Sequence, residues 1–348
     1  MLLRAHARSA RRDGASPGAP YSRRVLVHLR LNSPSALADD VVAALLDRDD
    51  VTNLTHERGV SLRPEGDVVC ADVAREAVGD VMAALRATGL HEQGGIVLTT
   101  PTGTPFREAD RIEARVPGHP DDAVIWDAVE AEARSGAVPT VSYHVFLVIA
   151  VALGAIAVVT DSAVLVVGAM VVGPEFSAVV AVSAGIALRQ WSLLWSGARL
   201  LVLSFAASIL VVAALALVAR WSGLLSAGDV TRSRPNTDFI WHPDTWSVLV
   251  ALLAGAAGAL ALALSRTNTM VGVFISVTTV PAAGNLALGL ATWQLGEITG
   301  SAEQLGLNIG CMVVAGTLVL LAMRVGWTRL SAVSEKVFGR QADLGASP

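Results

Sequence analysis

Apolar and polar positions divide the chain in two. Up to about residue 135, apolar residues alternate or recur every three to four positions among abundant charges, as in elements that bury one face. From about 140 to 325 they run for some 20 residues at a time with almost no charge. Within the first region, Arg24 to Leu29 alternates as a half-buried strand. Ser33-Pro34 then opens a helix whose apolar face is Leu37, Val41, Ala44 and Leu45. Val51–Leu62 and Val68–Val73 read as strands around a turn at Pro64-Glu65-Gly66-Asp67. Ala74, Ala77, Val78, Val81, Met82 and Leu85 recur at helical spacing, Gly89 is a stop, and Ile96-Val97-Leu98 is a closing strand. This order predicts a small α+β domain of the ferredoxin-like, split βαβ kind over residues 23–100. Residues 1–22, basic and rich in small residues, predict a disordered tail. Residues 101–139 predict a linker and then a juxtamembrane helix from Asp122 to Ala137.

The second region predicts an α-helical polytopic membrane protein. About 20 apolar residues cross a hydrocarbon core of about 30 Å, and lipid leaves unpaired backbone groups no partner but their own helix. Six stretches fit: about 140–159, 162–188, 200–219, 246–265, 270–291 and 305–325, with 326–348 as a tail. Placing both termini inside a bacterial plasma membrane puts Arg107, Arg111, Arg115, Arg134, Arg189, Arg199, Arg266, Arg324, Arg329, Lys336 and Arg340 on that face. Only Arg220, Arg232 and Arg234 remain outside, beside Asp229, Asp238, Asp244, Glu297 and Glu303, which is the bias expected of cytoplasmic loops. Most tryptophans, Trp191, Trp221 and Trp293 among them, sit near span ends as interfacial anchors do.

A shift of 104 residues aligns the halves of this region, about 140–219 and 246–325, without a gap. Gly154, Ala155 and Ala157 fall on Gly258, Ala259 and Ala261; Val167-Gly168 falls on Val271-Gly272; Gly185, Ala187 and Gln190 fall on Gly289, Ala291 and Gln294. Three spans per half would reverse the second copy, giving an inverted 3+3 repeat. Each middle span carries a proline, Pro174 or Pro281, which removes a backbone donor and predicts a broken central helix in each half. Broken helices expose backbone groups that hold cargo in transporters. Glu175 beside the first break would be costly in lipid, so it must face protein or water, pair, or take up a proton. Asp161, Ser162, Pro174, Glu175, Thr278, Thr279, Pro281 and Asn285 are therefore the candidate substrate- or ion-binding residues. Asp161-Ser162 also fits helix capping, Asn308 polar packing, and Gly306 and Gly310 close helix contact.

Composition narrows the chemistry. Charged residues make up 16% of the 348 and the net charge is −4, so a nucleic-acid partner is not expected. Cys70 and Cys311, one per region, predict no disulfide. His28, His56 and His91 are scattered singly, and no zinc motif, nucleophile elbow or phosphate loop occurs, so no metal, cofactor or catalytic residue is expected.

At Thr160-Asp161-Ser162, Gly168-Ala169-Met170 and Pro174 the sequence resembles the DUF389 family of bacterial and archaeal membrane proteins. Ser276-Val277 to Pro281 and Leu307-Asn308 resemble its later patches. Where family members often continue the first patch with Gly-Pro, Ser177-Ala178 stands here. The resemblance implies a multi-span membrane protein and brings no substrate. The expectation is a non-enzymatic transporter of a small solute or ion, with proton coupling through Glu175. An ion channel and a membrane-anchored sensor or scaffold regulated through the soluble domain are the alternatives, and a homo-oligomer is the expected assembly.

Overall fold

The computed structural model describes residues 26–116, 123–264 and 278–338. They fall into two compact units, one made of 26–116 with 332–338, the other of 123–264 and 278–331.

In the first unit, β1 (Val27–Pro34), α1 (Ser35–Leu46), β2 (Val51–Leu62), β3 (Glu65–Val73), α2 (Val78–Ala87), α3 (Leu90–Gln93) and β4 (Gly95–Thr99) form a four-stranded sheet with its helices. The strand order is β2-β3-β1-β4, with every neighbouring pair antiparallel. Strand β3 thus lies between β1 and β2, the split βαβ arrangement that the element order predicts. Val27, Leu29 and Leu31 of β1 are buried with Val41, Leu45, Val81 and Leu85 of the helices, so alternation meets helical periodicity in one core. Gly89 ends α2 in the left-handed region, at φ 78°, where a side chain would be strained. A further helix, α4 (Arg107–Arg115), stands where the sequence predicts only linker. Its run of alternating charges carries little apolar signal.

The second unit is helical: α5 (Trp126–Gly136), α6 (Val141–Thr160), α7 (Ala163–Val172), α8 (Glu175–Ala187), α9 (Trp191–Trp221), α10 (Ala227–Thr231), α11 (Thr245–Ala263), α12 (Thr279–Thr292) and α13 (Leu295–Phe338). Four helices among the described residues are long and apolar enough to cross a membrane, or five if the bent pair α7–α8 counts as one span. Six were expected. The difference is the stretch 270–291, of which the described part is α12, a 14-residue helix. At 1.5 Å per residue it rises only about 21 Å, short of the core. Residues 265–277, Val271-Gly272 among them, lie outside the described residues.

Leu203, Leu210, Leu215, Val218 and Leu318 face outward on these helices, and Trp191, Trp221, Trp246 and Trp293 are exposed at their ends. This is an apolar girdle with aromatic anchors, and it suits a lipid solvent. Gly306 and Gly310 do not mark a close helix contact as expected: each has open space where a Cβ would go. Spacing alone does not say which side of a helix meets a neighbour.

The 104-residue offset recurs in the element bounds. Helices start at Val141 and Thr245, at Glu175 and Thr279, and at Trp191 and Leu295. Thr140 caps the first by accepting from the Tyr143 N–H at 3.1 Å, and Asp244 caps its counterpart by accepting from the Ser247 N–H at 2.7 Å. Arg189 and Trp293 both take left-handed backbone, at φ 58° and 59°. Gly185 packs on Leu194 as Gly289 packs on Ile298.

Candidate functional site

Helix α7 ends at Val172 and α8 starts at Glu175, with a bend of 55° between them. Pro174 occupies the N-cap of α8, where its missing N–H costs no helical bond. Gly173 has no room for a side chain, because a Cβ there would strike the Glu175 carboxylate and Val280. The predicted break is therefore present in the first half. In the second, Pro281 sits in the first turn of α12 and initiates rather than kinks it.

Glu175 and Thr279 are the first residues of α8 and α12, and they meet. Thr279 Oγ1 donates to Glu175 Oε1 at 2.8 Å, and both residues are buried. Glu175 Oε2 is buried without a hydrogen-bond partner, as is the hydroxyl of Tyr143 on α6, which interacts electrostatically with this carboxylate. Two residues on, Pro281 packs against Gly154 of α6, which lies on its Cα.

The remaining candidates lie elsewhere. Asp161 ends α6 in left-handed backbone and staples the segment between α10 and α11. It accepts from Asn236 N at 3.2 Å and Thr237 Oγ1 at 2.9 Å. Ser162 caps α7 by accepting from the Leu165 N–H. Thr278 accepts from Gln304 and Asn308 of α13, at 3.1 and 3.0 Å. Asn285 belongs to a second buried cluster. It accepts from Arg234 Nη1 at 3.0 Å and donates to Glu297 Oε2 at 2.6 Å and to Ser301 Oγ at 2.8 Å, while Arg234 Nη2 donates to Glu297 Oε1 at 2.6 Å. The guanidinium and carboxylate are 2% and 6% exposed, so this is a desolvated ion pair whose hydrogen bonds are filled. In the sequence Arg234 and Glu297 fall in outer loops, which give no sign of this cluster. Nothing in a polar loop signals that it folds back onto a helix seam.

Two further arginines close helix ends. Arg220 of α9 donates to the carbonyl of Ala291 at 2.8 Å, and Arg324 of α13 donates to the carbonyl of Ala187 at 2.9 Å. Each places a cation at the C-terminal end of a short helix, where the dipole favours it.

Residues 170–314, from the last turn of α7 to the middle of α13, match a protein-family model described as a domain of unknown function, DUF389. The chain carries a DUF389 domain. The match spans Glu175, Thr279 and the Arg234 cluster, so both buried polar sites lie within the DUF389 segment. Comparison with curated proteins and with solved structures gave no match.

Proposed function

We propose that this DUF389 protein is a secondary transporter of a small solute or ion. In this reading, two oppositely oriented units meet in a bacterial plasma membrane and hold their cargo where α8 and α12 begin. One observation carries it: the arginine caps are reciprocal. Arg220 and Arg324 are 104 residues apart, as are Ala187 and Ala291, and each arginine binds the carbonyl from the other half. Contacts in which i touches j′ and i′ touches j are those of a two-fold pair. The glycine contacts support the same relation: Gly154 rests on Val280 and Pro281, and its counterpart Gly258 rests on Phe176. A unit with three passes, α6, the bent α7–α8 and α9, reverses direction when repeated, so the two-fold axis would lie in the membrane plane. The arginine bias of the loops supports an orientation with both termini inside.

Glu175 is the proton carrier in this proposal. It is the carboxyl at the seam; Thr279 of α12 is its donor, Gly173 and Val280 lie beside it, and its charge is felt at Tyr143 of α6. The test is pyranine-loaded proteoliposomes under imposed gradients of sodium chloride, potassium nitrate and sodium acetate. Proton movement driven by one of these salts, abolished by Glu175→Gln in monodisperse protein, supports the reading. Proton movement of the same size in that variant rules out coupling through Glu175. The burial of Glu175 and Thr279 favours this over an open channel, which bilayer recordings would reveal as unitary currents.

One contact favours a regulated version. Gly136 at the end of α5 packs on Ser177 in the first turn of α8, and Ser177 Oγ donates to the Gly136 carbonyl at 3.4 Å. The segment that follows the soluble unit in the chain thus touches the helix bearing Glu175. A Gly136→Cys/Ser177→Cys disulfide is expected to lower flux, with recovery on reduction.

A further inference from the structure

The first turn of a helix carries N–H groups without intrahelical acceptors and about half a positive charge. In most helices water or a cap residue answers them. Here the first turns of two helices, of 13 and 14 residues, are brought into hydrogen-bond contact inside the bundle through Glu175 and Thr279. Two positive helix ends facing one another call for a negative charge between them. Glu175 supplies it, and the supply is lopsided. The equivalent position of the other half is Thr279, so one carboxylate serves two helix ends. That carboxylate is 7% exposed and forms no ion pair with a lysine or arginine among the described residues, while its Oε2 and the Tyr143 hydroxyl remain buried without hydrogen-bond partners.

We propose that the converging N-termini of α8 and α12 are a binding site for one small inorganic monovalent anion, such as a halide or nitrate, and that the Glu175 carboxylate occupies it here as a tethered competitor. When the carboxylate withdraws or is neutralised, the anion takes over the helix N–H groups and the Thr279 hydroxyl. Thr279 suits both occupants, since it donates to either. A metal cation bound by Glu175 would instead sit against two positive helix ends, which opposes it. Gly173 and Val280 flank the carboxylate, whose Oε2 fills the space beside Gly173 that the anion would take.

This inference rests on the seam being the site named above and is tested apart from transport. Full-length protein in detergent is titrated calorimetrically with potassium bromide, against potassium gluconate, and separately with rubidium gluconate. Glu175→Ala is expected to bind bromide about tenfold tighter than the unsubstituted protein, and Glu175→Ala/Thr279→Val to lose most of that gain. Glu175→Gln, which removes the charge and keeps the volume, carries the same expectation of tightening and serves if the alanine variant is not monodisperse. Bromide binding unchanged by both substitutions, or a gain untouched by Thr279→Val, overturns the proposal. So does rubidium binding by the unsubstituted protein that both Glu175 variants abolish. Bromide binding without flux would retire the transporter and leave the anion site standing.

Discussion

Arg234 shows how much one side chain can carry in this protein. Its guanidinium joins the segment ahead of α11 to Asn285 of α12 and Glu297 of α13, with little water in reach. Removing one partner of such a pair leaves the other charged and buried. Arg234→Ala is therefore expected to cost about 3–5 kcal/mol, seen as a large drop in thermal midpoint in detergent. A double variant, Arg234→Met/Glu297→Leu, should recover much of it, because no lone charge remains. A double variant no better than Arg234→Ala would mean that the hydrogen bonds to Asn285, not the charges, hold the cluster. In the first unit, Asp67 accepts from the Gly59 N–H at 3.0 Å, from His56 Nε2 at 2.7 Å and from Ser35 Oγ at 3.2 Å. These donors, the Gly59 amide foremost, hold its carboxyl below the usual carboxylate range. Its contribution is complete above the unfolded value of about 3.9 and disappears as pH falls through the lower, folded value. Exchange protection of the β2–β3 amides, corrected for intrinsic rates, should therefore fall in that acidic window, and Asp67→Asn should flatten the dependence. Of these residues the sequence singles out only Asn285 as a candidate, because a polar group inside an apolar run stands out and one in a polar loop does not.

Glycines set how closely the helices approach. Gly185 lies on the backbone of Leu194, and Gly255 on that of Met312, so a methyl group at either would have to push main chain aside. Gly185→Ala and Gly255→Ala are expected to destabilise by about 1–3 kcal/mol, the usual cost of overpacking. Gly168→Ala and Gly306→Ala meet open space and should leave the melting temperature unchanged or slightly raised. Equal effects in all four would show that helix propensity, not close approach, governs these sites. Elements were legible where hydrophobic period is strong: the strand alternation of β1, the long runs of α6 and α9, and the break at Pro174. They were not legible where charge or shortness hides the period. The highly charged α4 read as linker, and α12 read as part of a full span because the apolar run continues on both sides of Thr279.

On the scale of the whole molecule, the offset of 104 residues links sequence to architecture. Composition alone makes matches among alanine, glycine and valine easy to find. The recurrence of helix starts, left-handed turns and arginine caps at the same offset is harder to obtain by composition. What the sequence could not give is which residues come together across that offset, since contact depends on how two units dock and not on either unit's pattern. Glu175 and Thr279 are 104 residues apart in the chain, and only the fold puts them within a hydrogen bond. In the proposed two-fold arrangement α8 and α12 start together and leave toward opposite faces of the membrane. Arg189 and Trp293 mark their far ends, and both side chains are exposed. In a background with Cys70→Ser and Cys311→Ala, single substitutions Arg189→Cys and Trp293→Cys can be reacted with a membrane-impermeant maleimide in intact cells and in inverted vesicles. Trp293→Cys is expected to label only in cells and Arg189→Cys only in inverted vesicles. Labelling of both from the same side would contradict it.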